Sequence, residues 1–257
     1  MYSRRFSLLD RGFFLALRSF LNGAVFAEML RSGTPEILAL HGWGRRGTDF
    51  AVALQGRSAI APDLPGFGAS PVPGEVIGAD AYADIVAQLL DVFDRPPALI
   101  GHSFGGRIAV CLAAKHPDRV GRLVLTGAPL IRLETGRRPP AAYRLVRRLN
   151  EIGLISDERL ERAKRRRGST DYRAATGIMR DILVKVVNES YESQLGRIRQ
   201  PVHLLWGEND REVPVSIAES ASALLADSTL EILPGVGHLV PTEAPEALRA
   251  AVDRALA

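Results

Sequence analysis

The 257 residues carry 46% hydrophobic and 24% charged side chains, enough to bury a domain-sized core, so a disordered or fibrous chain is excluded. The one cysteine, Cys111, excludes an intramolecular disulfide and a cysteine-built zinc site, and points to a reducing compartment. The net charge of +4 is unevenly placed: residues 131–200 hold 17 basic against 9 acidic side chains, and the remainder 16 against 20. A basic segment can draw anionic substrates, membranes or nucleic acid. No aromatic platform or recognition motif accompanies it, so no nucleic-acid partner is expected and the charge reads as a solvated helical surface.

Along the chain, the first 23 residues, "MYSRRFSLLDRGFFLALRSFLNG", open with a twin-arginine pair. Asp10, Arg11 and Arg18 interrupt the apolar stretch a signal would need. The expected element is an amphipathic lead-in helix in a cytoplasmic protein, with export by an N-terminal signal as the alternative. No apolar run reaches the ~18–20 residues of a membrane span, so no firm membrane association is expected. Residues 24–30 and 36–42 read as strands separated by a Gly-Pro turn, and 57–61 as a third strand before the turn "PDLPGFG". Helical spacing of Ile85, Leu89, Val92 and Phe93 predicts a helix over 80–93. A strand "PPALIGH", a helix over 104–115 and a strand "RLVLTGAP" follow. After residue 200 come a strand "PVHLLWG", a helix over 215–225, a strand "STLEILPG" and a last helix over 243–256.

These strands are apolar throughout rather than alternating, the pattern of a parallel sheet covered on both faces. Residues 130–200 show only helical stretches, at 141–151, 157–167 and 172–195. The predicted fold class is α/β, with a mostly parallel sheet flanked by helices. A helical cap over 129–200 is inserted after the strand "RLVLTGAP" into a core of 1–128 and 201–257. The run Lys164–Arg167 and Arg137, Arg138, Arg144, Arg147 and Arg148 are too densely charged to be buried. They are expected to face solvent, where they would at most steer anionic substrates.

"GHSFGG", Gly101 to Gly106, joins a strand to a helix. A serine at such a sharp turn is held in a strained conformation with its hydroxyl exposed, and glycines on either side avoid collision with neighbouring elements. Ser103 is the candidate nucleophile. The Phe104 N–H opens a helix, where negative charge is stabilised. Serine needs a base, and the chain has five histidines. His116 lies at a helix end, His203 inside a strand as a core residue, and His102 within the turn itself. His41 opens "LHGWG", and His238 stands in a loop after the last strand, where a parallel sheet gathers its chemistry. His238 is the candidate base and His41 a loop-holding residue. Asp210 in "WGENDREVP" is the candidate orienting carboxylate, with Glu208 as the alternative. The N–H groups of Trp43 and Phe104 are candidates for an oxyanion hole.

Taken together, "HGWG", "PDLPGFGAS", "GHSFGG", "WGENDREVP" and "GVGHLVPTEAP" resemble the α/β-hydrolase superfamily, from about residue 24 to the end. The order Ser103, Asp210, His238 is that of its triad. The resemblance implies an eight-stranded sheet, a helical cap over the site, a rim shaped by "LPGFG", and a structural rather than catalytic Asp63. It also implies a serine hydrolase of a carboxylic ester or related small acyl compound. The alternatives are a C–C bond hydrolase of diketone-type substrates with the same triad, and a slow-turnover ligand receptor of the same fold. Members with an aspartate nucleophile are set aside because Ser103 stands there. Arg107 matches an arginine that grips carboxylate in a lyase group, but reads here as a plain helix-surface residue. Trp43, Arg107, Met179 and Leu239 are the substrate-contact candidates. Of the apolar positions 179, 182, 183, 186 and 187, the innermost would face Ser103. The partner expected is a small-molecule substrate; neither a cofactor nor a metal is called for, and the oligomeric state stays open.

Overall fold

The computed structural model describes residues 15–31, 33–132, 148–150, 152, 154–156, 159 and 169–257. The strands are β1 (Leu15–Phe20), β2 (Val25–Leu30), β3 (Ile37–Leu40), β4 (Ala59–Asp63), β5 (Ala98–His102), β6 (Leu123–Thr126), β7 (Val202–Gly207) and β8 (Ser228–Leu233). The helices are α1 (Ala79–Ala87), α2 (Phe104–Lys115), α3 (Thr170–Ala174), α4 (Gly177–Val187), α5 (Glu192–Leu195), α6 (Val215–Ser222), α7 (Val240–Glu243) and α8 (Pro245–Leu256). The strands form one eight-stranded sheet in the order β1-β2-β4-β3-β5-β6-β7-β8. The β1–β2 and β2–β4 pairs are antiparallel, and every pair from β4–β3 to β7–β8 is parallel.

The continuous apolar runs are explained by two cores, one on each face. Along β3, Leu38 and Leu40 join the core formed with α1 and α2, while Ile37 and Ala39 join the one formed with Phe50, Leu54 and α8. The same alternation runs through Leu123, Val124 and Leu125 of β6 and through Leu204, Leu205 and Trp206 of β7. A period of two is present, but both faces are apolar because both are covered.

The chain starts differently from the expectation. Residues 15–20 are a strand, not the end of an amphipathic helix, and residues 1–14 lie outside the described residues. β1 pairs with β2 from Leu15↔Leu30 to Phe20↔Val25 around a turn with left-handed φ at Leu21, Asn22 and Gly23. "LALRSF" has no decisive period of its own, so the free edge of β2 decided its state. Three boundaries also moved. α1 gives way to a 3-10 turn over Gln88–Val92, and β4 ends at Asp63, two residues later than expected. The last helix splits into α7 and α8, where Pro245 takes the first helical position.

Between β6 and β7 the described residues contain helices and no strand. The stretch read as one helix over 172–195 is divided among α3, α4 and α5. Ile182, Leu183 and Val186 of α4 and Leu195 of α5 join the core that holds α2. The expected stretches 141–151 and 157–167 fall largely outside the described residues, as do Arg137, Arg138, Arg144, Arg147 and Lys164–Arg167; Arg148 is described and exposed. No helix among the described residues is long and apolar enough to cross a membrane.

The placement of the site depends on how closely α2 lies on the sheet. A Cβ on Gly101 would come 2.6 Å from Gly106 Cα, and one on Gly105 would run into the Leu40 carbonyl. Neither obstacle is the end of a flexible side chain. Gly105→Ala is therefore expected to cost ~1–3 kcal/mol. The check is urea unfolding: the midpoint should fall with an unchanged m value, and a wild-type midpoint would show that α2 can lift off β3.

Candidate active site

Ser103 sits between β5 and α2 with φ 50° and ψ −111°, a left-handed conformation that costs a non-glycine residue of order 1–3 kcal/mol. It is pinned on both sides. Its N–H donates to Thr126 O at 2.9 Å, and its carbonyl accepts from Gly106 N–H at 3.0 Å. The next N–H, that of Phe104, starts α2 with no side-chain cap. Among the described residues neither it nor the Trp43 N–H has a hydrogen-bond acceptor.

The loop carrying Trp43 is held by His41, which is fully buried. His41 Nε2 accepts from Leu64 N–H at 2.9 Å, which leaves Nδ1–H to donate to Gly42 O at 2.7 Å. Burial drives its pKa down to about 4, so the ring is neutral and structural, as its place in the sequence suggested. Asp63 is structural too: its carboxylate accepts from Gly47 N–H at 3.0 Å and from Ala69 N–H at 2.8 Å. The "LPGFG" turn it organises carries Phe67, which meets Trp43 edge-to-face at 4.9 Å between ring centres. Trp43 makes a similar contact with Phe104 at 5.3 Å.

His238 and Asp210 come together from the loops after β8 and β7. Nδ1–H donates to Asp210 Oδ2 at 2.8 Å. The other carboxylate oxygen accepts from Glu212 N–H and Val213 N–H at 2.9 and 2.8 Å. Asp210 is thus buried but fully used, and it presents Nε2 of the imidazole as the free nitrogen. Glu208 does not compete, since it is exposed and accepts from Gly235 N–H at 3.0 Å. Gly127, after β6, makes room for the pair: a Cβ there would lie 2.9 Å from His238 Nδ1. Burial pulls the His238 pKa down. The hydrogen bond and charge of Asp210, then the charges of Glu212 and Asp171, outweigh that and leave it above the usual histidine value.

His102 is the third ring here, 5.0 Å from His238 between centres. Nδ1 bonds Thr126 Oγ1 at 2.9 Å. Burial, reinforced by the nearby His238, drives its pKa to about 3, so it stays neutral. His203, expected in the core, is only half-buried on β7, where it bonds Thr229 Oγ1 at 2.7 Å and lies 3.2 Å from Glu231. Its strand lies beside the edge strand β8, whose residues are largely uncovered.

Ser103 lines two cavities. The larger, of about 550 Å³, is walled by Trp43, Phe104, Arg107, Leu183, Val186 and Val187 among others. The smaller, of about 110 Å³, is lined by His102, Asp171, Glu212, His238 and Leu239 among others. Of the substrate-contact candidates, Trp43 lines both cavities and Leu239 the smaller one. Arg107 does not match the surface residue expected. It is 7% exposed, donates from Nε to Pro129 O at 3.2 Å and from Nη1 to Val186 O, and lies over the Tyr191 ring. One turn past Ser103, the side chain runs under α4 rather than into solvent. Met179 also departs from expectation: its thioether sits where a Gly66 side chain would be, and it is not among the residues lining either cavity. Of the helix positions considered, 183, 186 and 187 face the larger cavity. The sequence reading missed Gly127, Glu212 and Asp171. Only the chain position of Glu212, two residues past Asp210, could have signalled any of them. Among the described residues no group of three or more His, Cys, Asp or Glu is placed to hold a metal.

Known proteins share this fold. Residues 37–251 match the alpha/beta hydrolase family. The chain is 31% identical over 235 residues to a pimeloyl-[acyl-carrier protein] methyl ester esterase of Chromobacterium violaceum, covering 83% of this chain and 91% of that protein. It is 27% identical over 256 residues to a 2-hydroxy-6-oxononadienedioate/2-hydroxy-6-oxononatrienedioate hydrolase of Cupriavidus pinatubonensis, covering 86% and 87%. The solved structure of a membrane phospholipase A, a bacterial virulence factor, superposes with a TM-score of 0.70 at 25% identity, over 95% of this chain and 86% of that one. The protein belongs to the alpha/beta hydrolase family.

The three rings separate by environment, and histidine NMR can read this directly. His238 is expected to titrate above an ordinary histidine, while His41 and His102 remain neutral down to about pH 4 and 3. A His102 signal titrating in the ordinary range would mean that its pocket is open to water.

Proposed function

We propose that the protein is a serine hydrolase of a carboxylic ester or related small acyl compound. Its α/β core is 1–128 and 201–257, and a helical cap over 129–200 covers the site. The observation that carries the reading is the His238–Asp210 bond of 2.8 Å, in a cavity that also exposes the strained Ser103. Ser103 Oγ attacks the carbonyl carbon while its proton passes to His238 Nε2. The oxyanion is held by the N–H groups of Trp43 and Phe104, and Asp210 stabilises the imidazolium. The carbon–oxygen bond to the leaving group breaks as Nε2–H protonates the departing alcohol. Water then attacks the acyl-enzyme and gives its proton to Nε2. The acyl carbon–Oγ bond breaks, and the proton returns to Ser103. Apart from that water, each step is completed by this chain's own groups, so none calls for a cofactor.

Two cavities meeting at Ser103 suit a substrate whose acyl and leaving parts diverge at the carbonyl. The Chromobacterium relative, a methyl ester esterase, supports the ester reading. The Cupriavidus relative gives the second reading, hydrolysis of a carbon–carbon bond beside a ketone with the same residues. A ligand receptor of this fold would differ in rate, with near-stoichiometric hydrolysis in place of repeated turnover.

Ser103→Ala should abolish labelling by a fluorophosphonate probe while leaving the unfolding midpoint close to that of the wild type. His238→Ala should lower kcat by roughly 10⁴–10⁶-fold, because triad members act as a unit. Wild-type turnover by either variant would rule out the mechanism. Profiling the wild type on p-nitrophenyl esters of increasing chain length, beside a diketone acid, separates the ester from the carbon–carbon reading.

A further inference from the structure

His238 has a second carboxylate neighbour that the proposed triad does not use. Glu212 Oε2 lies 3.6 Å from Nε2, across the ring from the Nδ1–Asp210 bond. That is too long for a hydrogen bond and within range of an ion pair. Asp210 sets up the contact, because Oδ1 accepts the N–H groups of both Glu212 and Val213. The carboxylate that orients the imidazole therefore also folds the chain that carries Glu212. The two acids differ sharply in exposure: the Asp210 side chain is 1% exposed and that of Glu212 68%. Glu212 also lines both cavities beside Ser103.

Resting on the triad reading above, the geometry points to Glu212 as a solvent-side counter-ion of His238, a positioning residue that pairs with the imidazole only when Nε2 carries a proton. With Nδ1–H committed to Asp210, a neutral ring presents a lone pair at Nε2, which a carboxylate does not attract. An imidazolium presents N–H at the same place, which it does. The charged ring arises in the resting enzyme at low pH, and during turnover each time Ser103 or water gives its proton to Nε2. The contact therefore has two opposed effects. It keeps the base occupied to higher pH, and it stabilises the charge that develops during attack. Among the described residues, the other titratable groups around the ring are Asp210 on the loop that carries Glu212, Asp171 from α3, His102 at the end of β5, and Arg45, which lines the smaller cavity with them. The charge of Asp171 also favours the imidazolium, while burial and then repulsion by Glu212 raise its own pKa.

Glu212→Gln keeps the shape and removes the charge. Two readouts test it on the full chain. By NMR, without substrate, the His238 midpoint should move to lower pH than in the wild type. In kcat/KM against pH, on whichever p-nitrophenyl ester is turned over, the acidic limb should move the same way. The high-pH plateau should fall by roughly 2–5-fold, as expected of a partly exposed ion pair. A side chain that only packed would move neither midpoint nor limb. An unmoved NMR midpoint overturns the counter-ion role whatever the rates do. If no ester is turned over, the ester reading fails separately, while the NMR midpoint still decides the role of Glu212.

Discussion

The close approach of α2 to the central strands governs the rest of the molecule. Ser103 keeps a left-handed backbone because β5 enters the turn and α2 leaves it with almost no clearance. Gly101 touches Gly106 and Gly105 touches the Leu40 carbonyl. Such strain persists only where the surroundings over-determine it. Here they include the Thr126 carbonyl of β6 and the first turn of α2. Tight packing thus fixes the Ser103 turn and leaves the Phe104 N–H at the start of α2 without an acceptor among the described residues, as the proposed oxyanion hole requires.

Around that fixed point, burial and pairing give three chemically equal rings different roles. His41 and His102 are buried without a carboxylate partner and stay neutral; one ties down the Trp43 loop and the other fills the space beneath it. His238 is less buried and faces carboxylates, so it alone can carry charge near neutral pH. The carboxylates divide in the same way. Asp210 is buried with both oxygens committed, whereas Glu212 is exposed. One short loop after β7 therefore supplies both a buried and an exposed neighbour to the same imidazole.

The segment between β6 and β7 ties the site to its surroundings. Leu183, Val186 and Val187 of α4 form part of the larger cavity, and Asp171 of α3 reaches the smaller one. Arg107, reaching from α2 to the Val186 carbonyl, links the helix that follows Ser103 to that segment. Changes in the segment would reshape the pocket without touching the strained turn. This fits a family whose relatives here cleave an ester in one case and bear the name of an oxononadienedioate hydrolase in another.

Much of this was legible in the chain itself. The strand–turn–helix around Ser103, the loop positions of Asp210 and His238, the parallel character of the sheet and the structural role of His41 follow from local pattern, and that of Asp63 from the family resemblance. Glycine spacing and uninterrupted apolar runs are properties of short stretches. What required the tertiary structure was anything settled by a distant partner. "LALRSF" became a strand because β2 offered an unpaired edge. Arg107 turned inward because carbonyls of Pro129 and Val186 were there to receive it. Met179 went to Gly66 instead of the cavity because that glycine leaves a hole. Asp210 was separated from Glu208 only by which carboxylate met the ring, and Glu212 came into view only once the loop had folded back on Asp210. Sequence determines which groups are available and roughly where the chain must turn. Which charges face one another is decided by contacts between segments far apart in the chain, and a linear pattern does not contain those distances.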